Sequence, residues 1–377
     1  MALSINAWAK FRSFREKYGD PDLIVRAPGR ANIIGEHVDY CGGKVMPFAI
    51  QQSMYFFFSK VNAGNEYIYL DCDADSEHSD GSGLLKKLEA VLLKHQIELG
   101  NFRVAITSDI PIGGGLSSSS ALCCGFIYGL NELFQKDLDK TDIIRYASAA
   151  EYGVGVKGGL MDQHAVVFSK ANKALYLDCN DHSFGYLDLD PELFQFELWD
   201  TGIRHKLMES KYNNRRETLE LAMEELSMHK GRKLDYNEVK PEDLSVLKDP
   251  VYRLRIRHVI SERKRVTESK RAIETKDIKV LAQQLNASHE SLRDNYEVSW
   301  KEADWLQAKL IEYGVSLGSR MVGGGFGGHL ICLKNKNAAY DEQELLCAYK
   351  RQFGIEATKR EVRASSGIGL IRSAELL

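Results

Sequence analysis

Between Asp109 and Ala121 the chain reads Asp-Ile-Pro-Ile-Gly-Gly-Gly-Leu-Ser-Ser-Ser-Ser-Ala, and few architectures accommodate such a segment. Phe102 to Ser108 before it alternates with period two, as a half-buried strand does. The small apolar residues after it, up to Phe134, suit a helix. The order is therefore strand, glycine-rich loop, helix. Glycines let backbone N–H groups approach a ligand with no Cβ in the way. The helix start adds free N–H donors and partial positive charge, so a phosphate fits there. A capped helix after a flexible turn would need only one serine. Three glycines in a row cost conformational entropy unless something uses them.

Other phosphate devices are excluded by the letters. No Gly-Lys-Ser/Thr closes the loop, as a Walker loop requires. The protein-kinase marks His-Arg-Asp and Asp-Phe-Gly are missing. Gly323 to Gly328 does match Gly-x-Gly-x-x-Gly, but a strand-like run, His329 to Leu333, follows where a dinucleotide fingerprint needs a helix. It reads better as a tight loop whose backbone passes close to a ligand or a neighbouring loop than as an NAD site.

Two further segments carry chemistry. Gly29 to Tyr40 places Arg30, Glu36, His37 and Asp39 within a short, glycine-bearing loop. A polyhydroxylated ligand needs several donors and acceptors at set positions, and carboxylates take paired hydroxyl bonds. The spacing matches no His/carboxylate metal motif. Flanking Ile33, Ile34, Val45 and Pro47 predict that the loop is anchored in a core, unlike an ordinary solvated charged loop. Gly158-Gly159-Leu160-Met161-Asp162-Gln163-His164 sets an acid between a double glycine and an apolar, strand-like run. Asp162 can serve as a general base on a hydroxyl; a turn cap would use the same residue type.

The remaining pattern bounds the architecture. Helices are expected at Ile5 to Tyr18, Leu84 to Leu99, Thr141 to Tyr152 and Tyr340 to Phe353, and through most of Glu209 to Tyr313. Strands are expected at Leu23 to Val25, twice within Val45 to Val61, and at Glu66 to Leu70, Ala165 to Phe168, Ala174 to Asp178 and Phe194 to Asp200. A chain of 377 residues is long for one core. We expect two domains, 1–190 and 191–377, the second helix-rich. The net charge of −3 leaves no electrostatic footprint for nucleic acid or an anionic membrane. No stretch approaches the ~18 apolar residues of a membrane span, and the charged N-terminal segment lacks a secretory core. Seven cysteines, an odd number without metal-finger spacing, read as reduced thiols of a cytoplasmic protein.

Taken in order, these segments resemble the galactokinase branch of the GHMP small-molecule kinases, over nearly the whole chain. Arg26-Ala27-Pro28-Gly29-Arg30 through Tyr40 is similar to the sugar-binding signature. Pro111 to Ala121 is similar to the phosphate loop, and Met161-Asp162-Gln163 to the catalytic aspartate segment. His205 to Arg216, Asn286 to Ser299 and Ser319 to Gly328 resemble later motifs. The resemblance implies a two-domain α+β fold with the active site in the interdomain cleft and a C-terminal segment free to pack back on the first domain. It implies a monomer that transfers phosphoryl from MgATP to the anomeric hydroxyl of a sugar. Asp162 would be the base, and Arg30 would hold it ionised and stabilise the transferring group. Glu36, His37, Asp39, Gly159 and Tyr212 would bind the sugar. Gly113, Gly114, Gly115, Leu116, Ser117, Ser118 and Ser119 would wrap the ATP phosphates. Ser118 or Ser119 with Glu151 would hold Mg²⁺.

Some positions depart from that pattern. Val38 and Cys41 stand where galactokinases usually have Thr and Asn, Gly158 where they have Cys, and Val322 and His329 where the last motif has Thr and Cys. Cys41, Ser117 to Cys124 and Gly158-Gly159 look more like N-acetylgalactosamine kinases; Ser210 to Asn213 and Asn286 to Ser299 look like galactokinases. D-galactose leads as substrate, ahead of N-acetylgalactosamine, then galacturonate or L-arabinose. A non-catalytic galactose and ATP sensor is the competing class, and the intact Ser117 to Ala121, Arg30 and Asp162 disfavour it.

Overall fold

A computed structural model of the chain describes residues 3–61, 68–70, 81–97, 99–111, 113–155, 158–204, 208–338 and 340–371. The apolar run Tyr55-Phe56-Phe57-Phe58 lies in its longest strand, Pro47–Lys60, and both faces of that strand are covered. Successive side chains point to opposite faces. Phe56 and Phe58 join the main core against Phe126 of the helix Ser118–Phe134. Tyr55 and Phe57 pack under Phe11 and Phe14 of the helix Ile5–Tyr18.

That strand sits in a five-stranded sheet ordered Gly369–Ile371, Leu23–Asn32, Pro47–Lys60, Phe102–Ser108, Ile68–Leu70. All its neighbours pair antiparallel except the last pair, which is parallel. A four-stranded antiparallel sheet, ordered Thr358–Val362, Phe196–Asp200, His329–Lys334, Ser316–Met321, forms in the second half. The helices Pro250–Glu274, Ile278–Asp294 and Lys301–Glu312 accompany it, and Ile278–Asp294 lies directly against Ser316–Met321. Lys44–Val45, Lys173–Asp178 and Phe184–Asp188 make a small third sheet. The fold is α+β. Gly369–Ile371 returns to the first sheet by pairing with Ile24 to Arg26.

Several local expectations change in the structure. The strand expected at Leu23 to Val25 continues to Asn32, so Arg30 stands on a strand and not in a loop. Pro28 cannot donate to a ladder, and the register shifts between Pro28 and Arg30. The shift lets Arg30 N–H donate to Leu116 O at 3.1 Å, so the bulge aims Arg30 at the glycine-rich loop. Ala165 to Phe168 is not a strand. It ends the helix Met161–Phe168, which puts Asp162 in a first helical turn. A short buried apolar run cannot be told apart as strand or helix by period alone. The helix expected to reach Leu99 is Gly81–Lys94. Gln96 turns left-handed at φ 60°, and Ile97 N–H folds back on Leu92 O at 3.0 Å, a helix-ending pattern. Val45 to Val61 divides between two sheets, as Lys44–Val45 and Pro47–Lys60. Glu66, Tyr67 and His205 to Leu207 lie outside the described residues. Among the described residues no helix is long and apolar enough to cross a membrane, and Cys41, Cys123, Cys124, Cys179, Cys332 and Cys347 are unpaired.

Candidate active site

The bulge at Pro28 and the first turn of Met161–Phe168 bring together two residues 132 positions apart. Arg30 Nε donates to Asp162 Oδ1 at 2.8 Å, and Nη2 donates to Oδ2 at 2.8 Å. This fork-on-carboxylate geometry is the strong form of an ion pair. Burial works against the Arg30 charge, but Asp162, then Glu36, more than offset it and hold the guanidinium above its ordinary value. The third nitrogen, Nη1, donates to Gly115 O at 2.6 Å, so one arginine grips both the acid and the loop.

Ser117 opens the helix Ser118–Phe134 in the left-handed region, at φ 59°. Its hydroxyl donates to Asp162 Oδ2 and makes no cap hydrogen bond to the helix. The helix N–H groups therefore keep their free donors and positive end. Gly113, Gly115 and Leu116 to Ser120 line the same cavity as Asp162 and Arg30. Gly114 does not. It lies behind the loop, with its carbonyl held by the wholly buried His329.

On the other side of Asp162 stand the polar residues of Gly29 to Tyr40. His37 adopts φ 61°, an uncommon conformation for a residue with a side chain and one that concentrates at functional sites. Its Nδ1 is 2.9 Å from Tyr40 Oη. Its buried Nε2 has no hydrogen-bond partner among the described residues. Burial first, then His258, pushes His37 down to about 3, so the ring is neutral at working pH. Asp39 Oδ2 accepts from Gly159 N–H at 3.1 Å. A Cβ at residue 159 would stand 2.4 Å from that oxygen, so only glycine permits the approach. Burial, then the charges of Asp162 and Glu36, pushes Asp39 up to about 7. Glu36 accepts from Gly323 N–H at 2.9 Å and pairs with Arg320 Nη1 at 3.1 Å. The Tyr212 ring packs 5.4 Å from His37 and edge-on to Tyr40.

Glu151, near the end of the helix Lys140–Gly153, is buried against the first turn of the helix Ser118–Phe134. Its Oε1 accepts from Ser120 Oγ at 3.0 Å, and Gln163 Nε2 donates to Oε2. Burial raises its pKa, while hydrogen bonds from Ser119, Gln163 and Ser120 oppose the rise. The sequence reading named Ser118 and Ser119 beside Glu151. Ser119 reaches it, Ser120 does so too, and Ser118 lines the cavity. Among the described residues no three His, Cys, Asp or Glu side chains converge on one metal position. A buried carboxylate amid hydroxyls is nonetheless a hard-oxygen set of the kind Mg²⁺ takes when phosphates complete its shell.

The second glycine-rich loop meets the first. A Cβ on Gly115 would lie 2.8 Å from Val322 O, one on Gly323 2.8 Å from Gly115 O, and one on Gly328 2.7 Å from Gly114 O. The glycines thus let two backbones interlock. Sequence reasoning missed Arg320, Ser120, Gln163 and Tyr296. Arg320 is wholly buried and donates to Ile33 O at 2.8 Å, to Met321 O at 2.5 Å and to Asn32 O, welding the second half to the Gly29 to Tyr40 segment. Its signal was a charge beside a glycine run, within the Ser319 to Gly328 segment. Tyr296 Oη lies 2.7 Å from Tyr40 Oη, a contact with no local signal at all.

Comparison with known proteins matches residues 12–60 to the galactokinase galactose-binding signature, 83–170 to the GHMP kinase N-terminal domain and 269–351 to the GHMP kinase C-terminal domain. A galactokinase of Thermotoga petrophila is 36% identical over 361 residues, covering 92% of this chain and 99% of that protein. One from Pyrococcus furiosus is 32% identical over 357 residues, with 92% and 99% covered. The crystal structure of Lactococcus lactis galactokinase complexed with galactose superposes with a TM-score of 0.86 at 26% identity, over 96% of this chain and 99% of that one. The Methanococcus jannaschii mevalonate kinase shares the fold at a TM-score of 0.64 and 18% identity, with 93% and 100% covered.

Proposed function

This chain belongs to the galactokinase family, the ATP-dependent sugar-kinase branch of the GHMP kinases, and we propose that it converts D-galactose and MgATP to galactose 1-phosphate and ADP. The observation that carries the reading is the Arg30–Asp162 fork, set between an uncapped helix start and the acceptors Glu36 and Asp39. Residues 1–190 supply the phosphate loop and most sugar contacts, and residues 191–377 close the cleft through Tyr212 and the second glycine loop.

Galactose seats its ring hydroxyls on Glu36, His37, Asp39, Tyr212 and the Gly159 backbone, with O1 beside Asp162. The backbone N–H groups of Gly113 and of Gly115 to Ser119 receive the phosphates. As O1 bonds to the γ-phosphorus, the O1 proton passes to Asp162, and the β–γ bridging bond breaks with its electron pair leaving on ADP. Each carboxylate oxygen has two lone-pair sites, so Asp162 can accept a proton while Arg30 holds it. Arg30 places fixed positive charge beside the transferring group. The rate then rests on positioning and electrostatics. Mg²⁺ entering with ATP would neutralise β- and γ-phosphate charge. Glu151 with Ser119 and Ser118, and Ser120 alongside, are the residues fitted to hold it. A cytoplasmic location is part of this reading, supported by the unpaired cysteines.

One observation favours a second substrate. A Cβ at Gly158 would meet nothing within 4 Å, which supports room for a 2-acetamido group. ADP release with MgATP against galactose, N-acetylgalactosamine, galacturonate, L-arabinose, glucose and no sugar separates the readings. Galactose-dependent release, with phosphate on the anomeric oxygen, is expected. Release only with N-acetylgalactosamine transfers the assignment to that sugar. Binding of sugar and ATP without turnover means a sensor.

Asp39 gives a pH signature. A hydroxyl donates more strongly to Asp39 as a carboxylate than as the neutral acid, and Asp39 is held up to about 7. As pH falls through that value the group takes a proton, so kcat/KM for galactose should fall by about tenfold from pH 8 to pH 6. Asp39→Asn should remove the inflection at a uniformly lower value. A flat wild-type profile over this range would exclude an Asp39 proton from sugar binding.

A further inference from the structure

We propose that His329 is the positioning residue that sets the orientation of the phosphate-binding loop, through the carbonyl of Gly114, for nucleotide binding. The inference rests on the kinase reading above. His329 opens the strand His329–Lys334 and is wholly buried. Its register partner is Asp200 of the neighbouring strand, so the backbone sets where the ring stands. Nδ1 lies 2.7 Å from Gly114 O. A carbonyl oxygen only accepts, so Nδ1 carries the proton in either charge state of the ring. Cε1 occupies the space of a residue-114 side chain, 2.5 Å from where a Cβ would be. The ring therefore rests directly on the loop.

The consequence follows from peptide geometry. In a trans peptide the C=O and the next N–H point in opposite directions. Three successive loop carbonyls have donors, one behind the loop and two on Arg30, which itself lines the cavity. His329 takes Gly114 O, Arg30 Nη1 takes Gly115 O at 2.6 Å, and Arg30 N–H takes Leu116 O at 3.1 Å. The N–H groups of Gly115, Leu116 and Ser117 are thereby turned the other way, and these three residues line the cavity where Gly114 does not. Among the described residues none of the three N–H groups donates to a backbone oxygen. They form a row of aimed, unspent donors, the arrangement that binds a phosphate. Arg30 holds two of the peptides, and His329 holds the first. The family motif usually carries Cys at this place, so the clamp is a feature of this chain's own sequence.

Three variants test it. His329→Leu keeps bulk and removes the donor, His329→Asn keeps an N–H near the Nδ1 position, and His329→Cys restores the usual family residue. Calorimetric titration with Mg²⁺ and a non-hydrolysable ATP analogue needs no sugar and no turnover. The Leu variant should bind the analogue on the order of tenfold more weakly, the loss expected for a buried carbonyl left without its donor. Its KM for galactose should stay within about twofold, and the Asn variant should recover most of the affinity. Unchanged analogue affinity in the Leu variant overturns the proposal. So does equal weakening for nucleotide and sugar, or no recovery with Asn, since either means packing alone. If the Leu protein does not fold, the Cys variant is judged by the same comparison. Wild-type enzyme that binds the analogue yet phosphorylates no sugar sinks the substrate reading and leaves the clamp standing.

Discussion

Asp162→Asn is expected to lower kcat for galactose by about 10³-fold, within the range of a positioned general base, while galactose affinity changes only a fewfold. The amide keeps the shape of the carboxylate but cannot take the O1 proton. It also presents an NH₂ where Arg30 needs an acceptor. One arm of the fork, Nε to Oδ1 or Nη2 to Oδ2, each 2.8 Å long, must then open. The variant therefore loses the base and loosens the cation in a single change. The sugar contacts proposed for Glu36, His37 and Asp39 stand on a different segment, so binding should survive. Steady-state ADP release and galactose titration by calorimetry separate the two quantities. Unchanged turnover would remove Asp162 from the mechanism. Unchanged kcat with lost affinity would make it a sugar-binding residue only.

Arg30→Ala should cost at least ~10²-fold in kcat, the scale of losing one preorganised charge at a developing anion. Three contacts disappear together, because Arg30 grips both Asp162 oxygens and Gly115 O through its side chain, while the backbone N–H of residue 30 still holds Leu116 O. The side chain leaves a carboxylate and a loop carbonyl without partners, so the melting temperature should fall as well. Asp162 is 26% exposed in its side chain. Water can replace part of the lost pairing, and the stability loss should stay below the about 3–5 kcal/mol of a wholly buried broken pair. Arg30→Lys distinguishes charge from geometry. It keeps the cation but not the fork, so it should recover little of the rate. A rise confined to the galactose KM, with kcat intact, would assign Arg30 to binding and away from the transferring group.

The legible part of this site consisted of residues whose chemistry is local. Gly113 and Gly115 to Ser119 could be read because backbone access and a helix N-terminus depend on neighbours a few positions away, whereas Gly114, read with them, does not line the cavity. Glu36, His37 and Asp39 could be read because an ordinary solvated loop does not sit between Ile33-Ile34 and Val45-Pro47. The second glycine run could be read as a close backbone approach, and the interlock of Gly115 with Gly323 is such an approach. Errors arose where local preference was ambiguous or overruled. The pattern predicts a strand ending at Val25, but a bulge at Pro28 carries it on to Asn32. Ala165 to Phe168 looked like a strand, and packing beneath the main sheet made it helix.

By itself, then, the sequence determined the kinds of groups present and their local posture: a phosphate-sized nest, an acid after a double glycine, a polar set for hydroxyls. Tertiary structure alone decided who meets whom. It put Arg30 on Asp162 across 132 positions, Arg320 under Glu36, His329 behind Gly114, and Ser120 beside Ser119 on Glu151. The reason is one of range. Backbone preferences and capping act within a turn or two of the chain, whereas partner choice is set by how strands register and helices pack. Those arrangements are chosen by burial of the whole apolar surface, which no single segment encodes.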